Sequence, residues 1–181
     1  MTAGDWPWPA PTDDGGADHL VRGLQLPDMP LPSSHGAAIN LARCRGRTVV
    51  FIYPWTGRAG LANPPDWDHI PGAHGSTPQA ENFARAYDQF RAVGCEVYGL
   101  SGQDGAHHRE LSNRLALPFA LLSDDDLSFA RALRLPTFET GGITFLKRLT
   151  LLVRNGAIDA VLYPVHPPDR SAADTLIKLQ V

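Results

Sequence analysis

The chain has 181 residues, 19% of them charged, a formal net charge of −3 and two cysteines. That length suits one domain with its own core, and the near-balanced charge offers no polyanion-binding surface, so nucleic acid is not an expected partner. No apolar run reaches membrane-spanning length, Met1 to Trp6 lacks the basic-then-apolar order of a signal peptide, and Cys44 and Cys95 fit neither a disulfide scaffold, a Cys-x-x-Cys pair nor a zinc site. The expectation is a cytoplasmic protein with no membrane association, metal or cofactor.

Residues 1–19 are rich in Pro, Gly, Asp and Trp without periodicity, which predicts an extended, flexible arm ahead of a single domain over residues 20–181. Trp6 and Trp8 in that arm either stay exposed or dock on the body or a second subunit. From Leu24 to Leu41, short apolar pieces around Ser33-Ser34-His35-Gly36 read as a small hairpin. Cys44 lies between Arg43 and Arg45 in the turn that follows, where exposure would lower its pKa. Thr48 to Tyr53 is a β-branched and aromatic run that stops at Pro54, a buried strand ending in a loop. Trp55 to His69 is a long aperiodic loop whose Trp55 and Trp67 either wall a pocket or form a structural flap.

Ser76 then reads as a helix N-cap with Pro78 in the first turn and Ala80 to Phe90 as the helix body. A small side chain there faces unpaired N–H groups and the positive end of the helix dipole, which is where an ionised thiolate is favoured. Cys95 to Ser101 is a strand, Asp104 to Leu117 a helix, and Pro118 to Leu122 a short strand. Ser123 to Leu127 caps a helix that ends near Leu133. Arg148 to Val153 and Ala157 to Tyr163 are strands joined by Asn155-Gly156, the strongest short hairpin signal, and a last helix runs from about Asp169 to Leu179. This order predicts an α/β layered domain with a mixed central sheet flanked by helices.

The Tyr53-Pro54 strand end, the loop, and Gly75-Ser76-Thr77-Pro78-Gln79 opening a helix together resemble a peroxiredoxin, closest to the Q-type (bacterioferritin-comigratory-protein-like) group. The resemblance runs from about Leu24 to the C-terminus and implies a thioredoxin-like fold. It also implies a thiol-dependent peroxidase acting on hydrogen peroxide or organic hydroperoxides, with thioredoxin, glutaredoxin or a small thiol as reductant, and it leaves a homodimer open. By position, Ser76 stands where the family has its peroxidatic cysteine. Arg148 matches the arginine that stabilises the reacting oxygens, Pro54 the proline that shields the thiolate, and Gln79 a polar helix residue near that arginine. Gly75, Thr77 and Ala73 complete the implied substrate pocket, with Ala73 in place of a family threonine. Glu81 occupies the place where many members carry a resolving cysteine, which leaves Cys95, Cys44 or an external thiol for that role.

A serine hydroxyl is not ionised near neutral pH and forms no sulfenic acid, so the chain as written is expected to be inactive as a thiol peroxidase. Cys→Ser is near-isosteric and the rest of the motif is intact, so an engineered replacement is the first explanation and a naturally serine-bearing homologue the second. The second carries its own function, a non-catalytic thioredoxin-fold binding or redox-sensing protein. Hydrolysis by Ser76 is disfavoured, because its context lacks the Gly-x-Ser-x-Gly elbow. His107 and His108 on one helix, and His69 and His74 in a loop, read as solvated or capping residues rather than metal ligands.

Overall fold

The fold is built on the run Arg47–Ile52, whose five residues after Arg47 are all buried in the computed structural model, which describes residues 6–180. In chain order the strands are β1 (Leu31–Ser33), β2 (Gly36–Ile39), β3 (Arg47–Ile52), β4 (Cys95–Ser101), β5 (Leu121–Ser123), β6 (Thr137–Thr140), β7 (Ile143–Leu146), β8 (Leu149–Arg154) and β9 (Ala157–Leu162). The helices are α1 (Ser76–Arg85), α2 (Tyr87–Ala92), α3 (Gly105–Leu115), α4 (Ser128–Leu133) and α5 (Ser171–Leu179). Seven strands form one mixed sheet in the order β2-β1-β5-β4-β3-β8-β9, parallel at β5-β4-β3 and antiparallel elsewhere.

Successive residues of a strand face opposite sides, and β3 shows it directly. Val50 and Ile52 join Leu100, Leu122, Phe129, Leu133 and Leu151 on one face, while Val49, Phe51 and Tyr53 join Phe83, Phe90, Val97 and Leu111 on the other. Helix α4 covers the first face; α1, α2, α3 and α5 contribute to the second. Phe51 stacks on Phe83 with ring centroids 4.4 Å apart, and burying such a ring contributes about 1.5–3 kcal/mol. The mixed sheet flanked by helices is the expected α/β architecture.

The Asn155-Gly156 turn forms as its sequence predicts, both residues having positive φ. The alternating stretch around Gly141-Gly142, assigned no strand from sequence, forms the separate hairpin β6-β7. Its Phe138 and Phe145 pack with Trp67, Trp55, Ile70 and Ala73, so it props the long loop from behind.

Two expectations are corrected. Over residues 6–19 the arm is docked rather than flexible, without regular structure up to residue 14 and turning over 15–19; its first five residues lie outside the described part. Gly72 N donates to Pro9 O at 3.1 Å, Trp8 stacks on His74 with centroids 3.7 Å apart, and Ala17 and Leu20 enter the core. Asp14 accepts from Lys147 Nζ and Tyr163 Oη, each at 2.6 Å. The apolar and aromatic contacts hold the arm in a way its polar composition does not announce. The second correction concerns Ser76. Gly75 holds the N-cap position at φ 105°, and Ser76 is the first residue inside α1.

Candidate active site

The parallel strands β3, β4 and β5 all end at the same edge of the sheet, where the loops that follow them gather. There Tyr53 and Pro54 are buried at the end of β3, and Ser76 opens α1 with 3% exposure. Gly75 is required twice over. Its φ of 105° lies where L side chains are strained, and a Cβ would overlap the Pro168 ring and lie 2.6 Å from Trp6 Cζ2.

Register pairs Ile52 with Leu149, which sets Arg148 at the strand end facing the start of α1. Its guanidinium donates through Nη2 to Ser76 Oγ at 3.1 Å and to the carbonyls of His74 at 3.1 Å, Gly72 at 3.3 Å and Ala73 at 3.3 Å. Nη1 donates to Gln79 Oε1. Arg148 is 3% exposed, and burial pushes its pKa down to about 9. The structure thus brings Ser76, Arg148 and Gln79 into one hydrogen-bonded group, with Pro54 buried at the adjoining strand end. Ala73 contributes its carbonyl to Arg148 and its methyl to the pocket wall, so no hydroxyl stands where the family has a threonine.

Above Ser76 is a pocket of about 220 Å³ lined by Ala73, Gly75, Ser76, Thr77 and Pro78, and by Trp6, Trp8, Trp55 and Trp67. Trp55 and Trp67 meet edge to face with centroids 5.5 Å apart. The long loop therefore walls the site and packs on the β6-β7 hairpin at once, so both of its sequence readings hold. Trp6 and Trp8, placed in a flexible arm from sequence, are pocket residues as well.

His107 and His108 are neither solvated nor caps. Adjacent residues on a helix diverge, and here both directions are buried. His108 lies 2.8 Å from Ser123 Oγ through Nδ1, and through Nε2 lies 2.8 Å from Ser101 Oγ and 3.1 Å from Tyr53 Oη. Burial holds it neutral, with a pKa of about 3. His107 Nε2 meets Thr56 Oγ1 at 3.1 Å and its Nδ1 accepts from Arg58 Nη2 at 3.1 Å, while Gln103 Oε1 accepts from Thr56 N at 2.9 Å. This second network pins the loop beside Trp55.

The two cysteines lie elsewhere. Cys95 pairs in register with Arg47, at the opposite end of β3 from Pro54, so about 17 Å of strand separates it from the site edge. Burial raises its pKa to about 11. Cys44 precedes Arg47 at that same far end, and burial raises its pKa rather than its arginines lowering it.

The AhpC/TSA family model matches residues 70–160. Peroxiredoxin Q, chloroplastic, of rice (Oryza sativa subsp. japonica) is 30% identical over 162 residues, covering 89% of this chain and 67% of the relative. The Sedum lineare protein of the same name is 27% identical over 162 residues, 89% of this chain and 78% of its own. Among solved structures, a cysteine-to-serine mutant of Xylella fastidiosa PrxQ superposes with a TM-score of 0.72 at 21% identity, covering 90% of this chain and 96% of that one. Peroxidoxin BcpB of Mycobacterium tuberculosis gives 0.71 at 20% identity, covering 90% and 97%. The family model and the relatives place the chain in the AhpC/TSA family, among the Q-type peroxiredoxins, and the solved structures share its fold.

Proposed function

We propose that the Ser76 pocket is a thiol-peroxidase site that lacks its sulfur and, at Ala73, the family's threonine hydroxyl. The observation that carries this is the Arg148 guanidinium donating to the Oγ of residue 76 at the first turn of α1. With a thiolate at that atom, sulfur attacks one peroxide oxygen, the O–O bond breaks, and hydroxide or alkoxide leaves and takes up a proton. Sulfur is oxidised to sulfenic acid. Arg148 and the N–H groups at the helix start face the charge that moves from sulfur to the leaving oxygen. A thiol then condenses with the sulfenic acid, releasing water, and a second thiol reduces the mixed disulfide. With the serine hydroxyl the first step does not occur.

The resolving thiol comes from outside the chain, because Cys44 and Cys95 sit at the far end of the sheet and Glu81 occupies the helix position otherwise available. A thioredoxin-type protein or a small thiol fits that role. A homodimer and a cytoplasmic location belong to the same reading: Leu61 and Ile143 are each 57% exposed on the loop and hairpin beside the site, and both cysteines are free thiols, as in a reducing compartment. The test is to treat Ser76→Cys and the serine chain with hydrogen peroxide and trap sulfenic acid with dimedone for mass spectrometry. Labelling at position 76 of the variant supports the reading. An unlabelled, folded variant refutes it.

A further inference from the structure

Breaking a peroxide bond leaves an oxygen that needs a proton, and the pocket above Ser76 holds one side chain suited to give it. Among the described residues that line the pocket, His74 alone exchanges a proton near neutral pH. The rest are tryptophans, small or apolar residues, and the uncharged Thr56, Asn63 and Thr77. Ala73 offers no hydroxyl. Arg148 does not line the pocket, and its two terminal nitrogens already donate to Gln79, Ser76 and three carbonyls. With a pKa of about 9 it stays charged at neutral pH, so it stabilises charge at residue 76 without giving up a proton.

His74 is held from three sides. Its Nε2 lies 2.7 Å from Asp68 Oδ1, which fixes the ring orientation, gives the imidazolium form a counter-charge and leaves Nδ1 to serve the pocket. Trp8 of the docked arm stacks on the ring at 3.7 Å between centroids, with only 10° between the planes. The His74 carbonyl accepts from Arg148 Nη2 at 3.1 Å, the same nitrogen that donates to Ser76 Oγ. One guanidinium therefore registers the residue that carries the nucleophile position and the residue that carries the imidazole. The His74 side chain is 16% exposed, shielded by its neighbours but within reach of solvent for reprotonation.

We propose that His74 is the general acid of the peroxidase reaction, with Asp68 and Trp8 as its positioning residues. As the thiolate sulfur at position 76 bonds to one peroxide oxygen and the O–O bond breaks, the His74 Nδ1 proton passes to the departing oxygen. Sulfur is oxidised to sulfenic acid, the peroxide is reduced to water or an alcohol, and the imidazole is left neutral until it regains a proton from solvent. The inference rests on the peroxidase reading, because it needs sulfur at position 76.

The test compares two oxidants on the full chain carrying Ser76→Cys, at a pH where the new thiol is ionised. Hydrogen peroxide expels hydroxide and needs the proton; peracetic acid expels acetate, a stable anion that leaves without one. Sulfenic acid formation is followed by stopped-flow intrinsic fluorescence, since all four tryptophans of the chain line the pocket, and is checked by dimedone labelling. Adding His74→Gln should slow the hydrogen peroxide reaction by about a hundredfold or more and leave the peracetic acid rate nearly unchanged. Asp68→Asn, at a side chain 59% exposed and therefore tolerated by the fold, should lower the ratio of the two rates by about two- to fivefold. An equal loss with both oxidants would mark His74 as structural and overturn the proposal, as would an undiminished hydrogen peroxide rate in His74→Gln. In either case sulfenic acid formation by Ser76→Cys itself leaves the peroxidase reading standing. A folded Ser76→Cys chain that reacts with neither oxidant sinks the peroxidase reading and this inference with it.

Discussion

Ser76→Cys should create a thiol with a strongly depressed pKa, and Arg148 should be the main cause. The guanidinium Nη2 lies 3.1 Å from the Oγ that sulfur would replace. At a charge separation of about 4 Å and an effective dielectric near 20, the attraction is about 4 kcal/mol, or roughly three pKa units. The helix start adds about 0.3–1 kcal/mol in the same direction. Desolvation at a 3%-exposed position opposes both. The net expectation is a thiol near pH 6, against about 8.5 for an ordinary cysteine. The assay is thiolate ultraviolet absorbance against pH, checked by the pH dependence of alkylation at position 76. The native thiols stay silent in that window, since Cys95 is pushed up to about 11 and Cys44 is raised too. Arg148→Met in the same background should return the value to about 8.5 or above, and Arg148→Lys should recover part of the shift. A thiol above pH 8, or one that ignores Arg148→Met in a folded protein, refutes the electrostatic account of the site.

The remaining expectations concern the frame around the site. Gly75→Ala should destabilise the protein by about 2 kcal/mol or more, because a side chain at φ 105° is strained and meets Pro168 and Trp6; a denaturant midpoint within error of the parent contradicts this. His108 is buried neutral with a pKa of about 3, below its ordinary 6.5, so the unfolded chain binds the proton more readily. Stability is then constant above about pH 6.5 and falls as pH drops toward 3, by up to about 1.4 kcal/mol per pH unit. Urea unfolding at a series of pH values should show that slope added to those of His107, His166 and the paired carboxylates, which are also shifted down, and His108→Gln should reduce it. Phe83→Ala, which empties the centre of the face under α1, should cost about 3–5 kcal/mol; a loss below 1 kcal/mol would mean that this face is not the core.

Much of the frame was legible because its signals are local. The Asn155-Gly156 turn and the Tyr53-Pro54 strand end each depend on a few neighbouring residues, and each forms where the sequence places it. Arg148 was legible only by resemblance, since its approach to Ser76 crosses 72 positions of chain. Apart from the β6-β7 hairpin and the N-cap of α1, the failures are long-range. Nothing within the Pro-rich arm indicates that Pro9 will accept from Gly72 or that Trp8 will stack on His74, and the arm's role as a pocket wall follows from those contacts. His107 and His108 read as surface residues because their partners, Thr56, Tyr53, Ser101 and Ser123, come from three other segments. The β6-β7 hairpin carries a local signal of its own, alternating residues on both sides of Gly141-Gly142.

The most direct measurement is steady-state peroxide consumption by Ser76→Cys in a chain also carrying Cys44→Ser and Cys95→Ser, with an external thiol as the sole reductant and the serine parent as control. The account predicts turnover by the variant without either native cysteine, and none by the parent. A folded variant that consumes no peroxide, or one whose turnover needs Cys44 or Cys95, would contradict it.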